Sequence, residues 1–207
     1  AETLGKRYFV TAPTGPNGKS VWQLVRLVGN ADGTTLGYPG GAPPNAPASL
    51  DAGQVVDLDV VNDDFEIEGS QAFAIVTFQL GGSIVDADKA PHERRGDPSQ
   101  SAPVSVEQYR KKYVFLAPDD DDVGYVDIVQ KSGTTVTLDG NVVGEAAKPL
   151  ASGYEVRRVK LGAGQGGAHV LEATSPVGVQ VVGYGKFTSY QYPGGLDLQP
   201  ITPPPVK

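Results

Sequence analysis

The 207-residue sequence contains no cysteine and no methionine, and only two histidines and one tryptophan. Without cysteine there is no disulfide framework, no thiolate nucleophile and no thiolate metal ligand. That absence suits a reducing compartment or a bacterial secreted protein, so it assigns neither. With His92 and His169 the only imidazoles, a zinc site would have to draw its remaining ligands from carboxylates. No apolar run approaches the ~18 residues of a membrane-spanning helix. Basic stripes are missing too. The net charge is −7, and phosphate-backbone binding depends on clustered Lys and Arg. Nucleic acid is therefore not an expected partner. The lack of Met even at position 1 is read as a processed chain or a piece of a longer one.

Catalytic signatures are equally scarce. No Gly-x-Ser-x-Gly elbow occurs, although a Ser-His-Asp arrangement is not excluded by counting. The glycine-rich stretch 162–166 lacks the Lys-Ser/Thr ending of a phosphate loop and is read as a hairpin loop.

What the sequence has in abundance is Gly (27) and Pro (17), with short apolar stretches between them. Val56, Leu58 and Val60 alternate with Asp57 and Asp59, and Phe65 and Ile67 with Glu66 and Glu68. That is the period of half-buried strands. Residues 22–27, 72–80 and 177–184 are apolar on both faces and are read as central strands buried between layers. Val136 and Leu138 alternate into Asp139-Gly140, a hairpin signal. Strands at this spacing indicate a sandwich or barrel. Helix is restricted to a turn or two within 104–112.

The segments also recur. Lys6-Arg7-Tyr8-Phe9-Val10-Thr11-Ala12-Pro13 matches Lys111-Lys112-Tyr113-Val114-Phe115-Leu116-Ala117-Pro118, and residues 33–36, 49–53 and 65–68 find counterparts at 133–136, 149–153 and 169–172 in the same order. Two copies of one fold unit are therefore expected. The reading is an all-β fold of two tandem, internally repeated sandwich-like units packed together. The units span 1–85 and 104–199, joined by a charged bridging loop at 86–103. A Pro-rich tail at 200–207 is read as a spacer toward further domains of the same polypeptide.

A longer pattern runs through the second unit. Gly96-Asp97-Pro98 is followed by Gln108-Tyr109, by Asp139-Gly140, by Gly178 to Gly185, and by Tyr190-Gln191-Tyr192-Pro193-Gly194-Gly195. Together these residues resemble the IgGFc-binding protein N-terminal domain family, particularly bacterial members on secreted or surface-anchored proteins. The similarity covers most of the chain, more firmly after residue 94. It implies an extracellular adhesive or protein-binding role at the bacterial cell surface, and Gly96, Asp97, Pro98, Gln108, Tyr109, Asp139 and Gly140 are read as structural family positions.

Three features are candidates for contacts. Tyr184, Phe187, Tyr190 and Tyr192 form an aromatic cluster suited either to ligand contact or to packing between units. Asp119, Asp120 and Asp122 belong to a carboxylate run that could hold Ca²⁺, although no EF-hand spacing is present; no other cofactor is expected. Arg95-Gly96-Asp97 is an integrin-type tripeptide whose structural reading, a turn fixed by Asp97-Pro98, is preferred. The expected function is a non-catalytic module binding a surface protein or glycan. A spacer or tip subunit of a surface fibre is the second reading, and a glycan-active hydrolase the third.

Overall fold

The computed structural model describes residues 3–118, 121–161 and 167–198. The expected Pro-rich tail at 200–207 and the loop at 162–166 lie outside them. Strands dominate, and the fold is all-β. The first sheet holds β1 (Gly5–Val10), β2 (Gln23–Gly29), β3 (Thr34–Gly37), β4 (Ser49–Leu50), β5 (Val55–Val61), β6 (Phe65–Gln79) and β7 (Gln100–Ser101). The second holds β8 (Arg110–Ala117), β9 (Val123–Lys131), β10 (Val136–Leu138), β11 (Asn141–Val142), β12 (Lys148–Pro149), β13 (Tyr154–Leu161), β14 (Gly167–Gly185) and β15 (Thr188–Pro193). A four-residue helix (α1, Gly82–Val85) and short 3-10 turns join them, one at Val106–Gln108 inside the stretch expected to turn. The bridge is partly strand: β7 pairs with the end of β6.

Each sheet is organised by one overlong strand. The first part of β6 pairs with β1 and β3, and its second part with β2 and β7. In the same way β14 pairs first with β8 and β10, then with β9 and β15. The pairing skips at one place in both. The partner of β1 jumps from Glu68 to Phe73, and that of β8 from Glu172 to Val177. Such an irregularity bends a strand, so one sheet curls over its own core. Tyr8, Val25, Leu27, Leu58, Ile67 and Ile75 fill the first core; Tyr113, Val126, Ile128, Val159, Leu171 and Val179 fill the second.

Tyrosines hold both bends. The Tyr8 hydroxyl accepts from the Gly5 N–H and donates to the Phe73 carbonyl, both at 2.8 Å. The Tyr113 hydroxyl accepts from the Arg110 N–H at 2.9 Å and donates to the Val177 carbonyl. Each ring is buried, and burial pushes each phenol up to about 12. A hydroxyl that stays protonated serves as a permanent donor to a carbonyl the skipped ladder leaves unpaired.

The alternation of β5 is not regular. Leu58 is buried, but Val60 is exposed and Val61 buried instead. Asp59 takes φ +59° where the register with β2 shifts, and this bulge moves the next side chains to the opposite face. Glu66, expected to face solvent, is buried, because the second sheet covers that face of β6. Asp139 and Gly140 both have positive φ (51° and 81°) between β10 and β11, the two-residue turn their sequence signals.

Replacing Tyr113 with Phe keeps the ring and strands one donor and one acceptor at the bend. A loss of about 1–3 kcal/mol is expected, read as a lower urea midpoint at unchanged m value. Tyr8→Phe should cost a similar amount.

Candidate binding surfaces

The outward face of β9 and of the second part of β14 is as apolar as their inward face, and it is covered by the first sheet. Phe9, Val104, Tyr109, Val129, Tyr154 and Val156 form one buried cluster across the junction. Val21, Val85, Val123, Tyr125, Val182 and Tyr184 form a second. Phe9 and Tyr154 meet at 4.4 Å between ring centroids, with the Arg7 guanidinium 5.3 and 5.1 Å from the two rings. A cavity of about 30 Å³ remains nearby, room for little more than a water molecule. The junction is a packed contact and not a ligand pocket.

Charges at the junction are neutralised in place. Asp64 accepts from the Ala12 N–H at 2.9 Å and pairs with Arg158 at 2.6 Å and Lys148 at 2.8 Å. Arg158 also donates to the Ala12 carbonyl and lies 4.0 Å from Asp127. Thr14 donates to Asp127 at 2.7 Å. Glu66 pairs with Arg7 and accepts from Ser152 at 2.8 Å. Burial pushes the Asp127 carboxyl up to about 6, against the opposing pull of Arg158 and Thr14. Asp127 and Arg158 were not singled out in the sequence, although Asp127 is a lone charge inside Val123–Val129 and signals a buried pair.

The residues that were singled out fall into three groups. Tyr184 is fully buried at the junction, where its hydroxyl accepts from Gln79 Nε2 at 3.0 Å. Tyr190 and Tyr192 are partly buried against the second core, their rings 5.9 Å apart, and the Tyr192 hydroxyl bonds the backbone of Leu116 at the outer edge of β8. Phe187 stands exposed at φ +57° in the turn before β15. The four aromatics therefore form no common surface. Asp119 and Asp120 lie outside the described residues, and Asp122 is exposed. Among the described residues, no three His, Cys, Asp or Glu side chains gather as a metal ion would need.

The residues read as family positions make contacts within the fold. Gly96 has φ +104°, donates to the Gly185 carbonyl and accepts from the Gly82 N–H; a Cβ there would meet Val85 at 2.8 Å. Arg95 is tied to Asp86 at 3.2 Å, Asp97 is exposed, and Pro98 lies over Gly81. The Arg-Gly-Asp stretch is thereby held against the protein. Tyr109 is buried in the junction, and a Cβ on Gly178 would come within 2.5 Å of its ring. The carbonyl of Gln108 accepts from the Asp197 N–H. Asp139 accepts from the Val170 N–H at 2.8 Å and lies 2.7 Å from His169 Nδ1.

Open surfaces remain among the described residues. Trp22, read as the start of a buried strand, precedes β2 and is 44% exposed. It lines a groove of about 400 Å³ with the Gly/Pro-rich loop at 40–44 and with Asn62 and Asp63. A second hollow of about 330 Å³ shares Gly40, Gly41, Asp64 and Phe65 with it and reaches Lys148 on the other sheet. On the far side, Val114 (63% exposed), Leu116 (60%), Tyr190 and Tyr192 line an apolar hollow of about 440 Å³.

Asp127 sets a pH dependence. Its carboxyl is raised from 3.8 to about 6, so between these values the folded chain holds a proton the unfolded chain releases, and stability falls as pH rises through that window. The loss amounts to about 3 kcal/mol by pH 7. Asp127→Asn should remove this fall. Unfolding free energies of the two proteins at pH 4 and pH 7 check it: the wild type should lose stability relative to the variant across that range.

The family model described as IgGFc binding protein matches residues 1–183. No curated protein and no solved structure matches the chain. No helix among the described residues is long and apolar enough to cross a membrane. With the match covering most of its length, the chain belongs to the IgGFc-binding protein family.

Proposed function

We propose that this chain is an extracellular, non-catalytic protein-binding module of a bacterial surface protein. In this reading it is built from two copies of one unit, at 1–85 and 104–199, with 86–103 as the bridge. Family membership supports a protein partner. The matching bends, tyrosine clamps and strand pairings support the duplication. The observation that carries a binding role is the exposed Trp22 in its groove. An indole on open surface beside a Gly/Pro-rich loop offers a large rigid contact area at little entropic cost, as in the anchor residues of protein interfaces. The polar chemistry of the chain supports this reading in a second way, since its buried carboxylates are engaged in holding the two sheets together.

Surface plasmon resonance on the immobilised chain tests the proposal. The analytes are immunoglobulin Fc fragment and a panel of secreted and cell-surface proteins, with a glycan panel alongside. The expected result is saturable binding of at least one protein, weakened roughly 30-fold or more by Trp22→Ala, with the denaturation midpoint unchanged. Folded protein that binds no member of the protein panel, or binds glycans alone, overturns it.

A further inference from the structure

The two sheets share one strand plan, so each residue at the junction has a counterpart on the other sheet. Tyr8 and Tyr113 occupy equivalent places, which makes Phe9 the counterpart of Val114. Phe9 pairs across with Glu66, and Val114 with Val170. On the other surface, Val28 follows the Leu27–Ile75 pair and Val129 follows the Ile128–Val179 pair. Their outer neighbours are Val55 and Val156. Next along come the cross-strand pairs Arg26–Asp57 and Asp127–Arg158, the same position with the charges exchanged.

Within the chain, one surface of the first sheet (Phe9, Glu66) packs on the outer face of the second (Val129, Val156, Asp127, Arg158). Among the described residues, the counterparts of both partners are left at least partly exposed. The second sheet presents Val114, Leu116 and Val170, at 63%, 60% and 38% exposure, where the first sheet has the buried Phe9 and Glu66. The first sheet presents Leu24, Val28, Val55, Val76 and Phe78 on its outer face, Val55 exposed and the others partly exposed. An antiparallel sheet with one face in water ordinarily carries polar residues there. This one carries apolar residues around a single exposed Arg26–Asp57 pair, closed at 2.7 Å. Charge fits as well. Thr14 bonds Asp127 within the chain; beyond Ala117-Pro118 the described Asp122 is exposed, and Arg26 stands in the place of Asp127.

We infer that a second copy of this chain docks head to tail by repeating the internal junction, the Val114/Leu116/Val170 surface of one copy covering the Val28/Val55/Phe78 face of the next. The contact is heterologous: each copy keeps one surface of each kind, so the assembly adds further copies. This goes beyond the Trp22 groove, which neither Val55 nor Val114 lines, so loss of one leaves the other to be judged by its own variants.

Sedimentation velocity on the full chain over a wide concentration range tests the inference. Mass should grow with concentration past the dimer. Val114→Asp and Val55→Asp each place an unpaired carboxylate in the contact and should each weaken self-association roughly 100-fold. Mixed together, the two variants should form a dimer that goes no further, since Val55→Asp supplies an intact Val114 surface and Val114→Asp an intact Val55 face. Denaturation midpoints serve as the folding control, both sites being on open surface. A wild type that stays monomeric throughout, a dimer untouched by both variants, or a mixture that fails to pair overturns the inference.

Discussion

A carboxylate inside an apolar contact must be given partners, and Asp127 is the residue on which the arrangement of the two sheets turns. It sits in the middle of β9, on the face that packs against the first sheet. Thr14 reaches it from the chain segment before β2, and Arg158 stands beside it on β13 while binding Asp64 of the first sheet. Those directional contacts admit one relative placement of the sheets. Phe9 against Tyr154, and Tyr184 and Val182 against Val21 and Val85, then add the area. Fully burying such a side chain contributes about 1.5–3 kcal/mol. A handful of them outweighs what Asp127 costs, so the polar cluster supplies geometry and the aromatic clusters supply stability.

Much of the fold was legible because strand alternation and turn signals are local. The apolar positions of β6 and the Asp139-Gly140 turn each depend on neighbours in the chain. What escaped the sequence was set by distant contacts. Glu66 alternates with Phe65 and Ile67 as a solvent-facing residue should, yet it is covered by Ser152 and Arg7. Val60 was misplaced for a different reason: a bulge at Asp59 carries no strong sequence mark when the residue at positive φ is not glycine.

The binding surfaces were less legible than the fold. Four aromatics within nine residues look like a cluster, but strand alternation and a turn send them to different places. Tyr184 goes to the junction, Phe187 to a turn tip, and Tyr190 and Tyr192 to the flank of the second core. Proximity in sequence along a hairpin does not give proximity on a surface. The family positions behave in the opposite way. Gly96, Tyr109 and Asp139 are scattered in sequence, and each fixes a close approach or a turn.

The apolar runs of β2, β6 and β14 were read alike, as strands covered on both sides. For the second part of β14 the chain supplies both covers. For β2 and β6 the described residues supply one, although Leu24, Val28 and Phe78 have the same character as Tyr125, Val129 and Val182 at the matching places. A face whose residues suit burial and stay partly exposed is the face that the inferred second copy covers. The internal junction already displays the kind of surface that fits it: an edge strand following a tyrosine clamp, with an apolar residue next to the clamp. Phe9 is that residue in the first sheet and is 3% exposed; Val114 is its counterpart in the second and remains in solvent. One strand plan used twice within a chain leaves one surface of each kind unmatched.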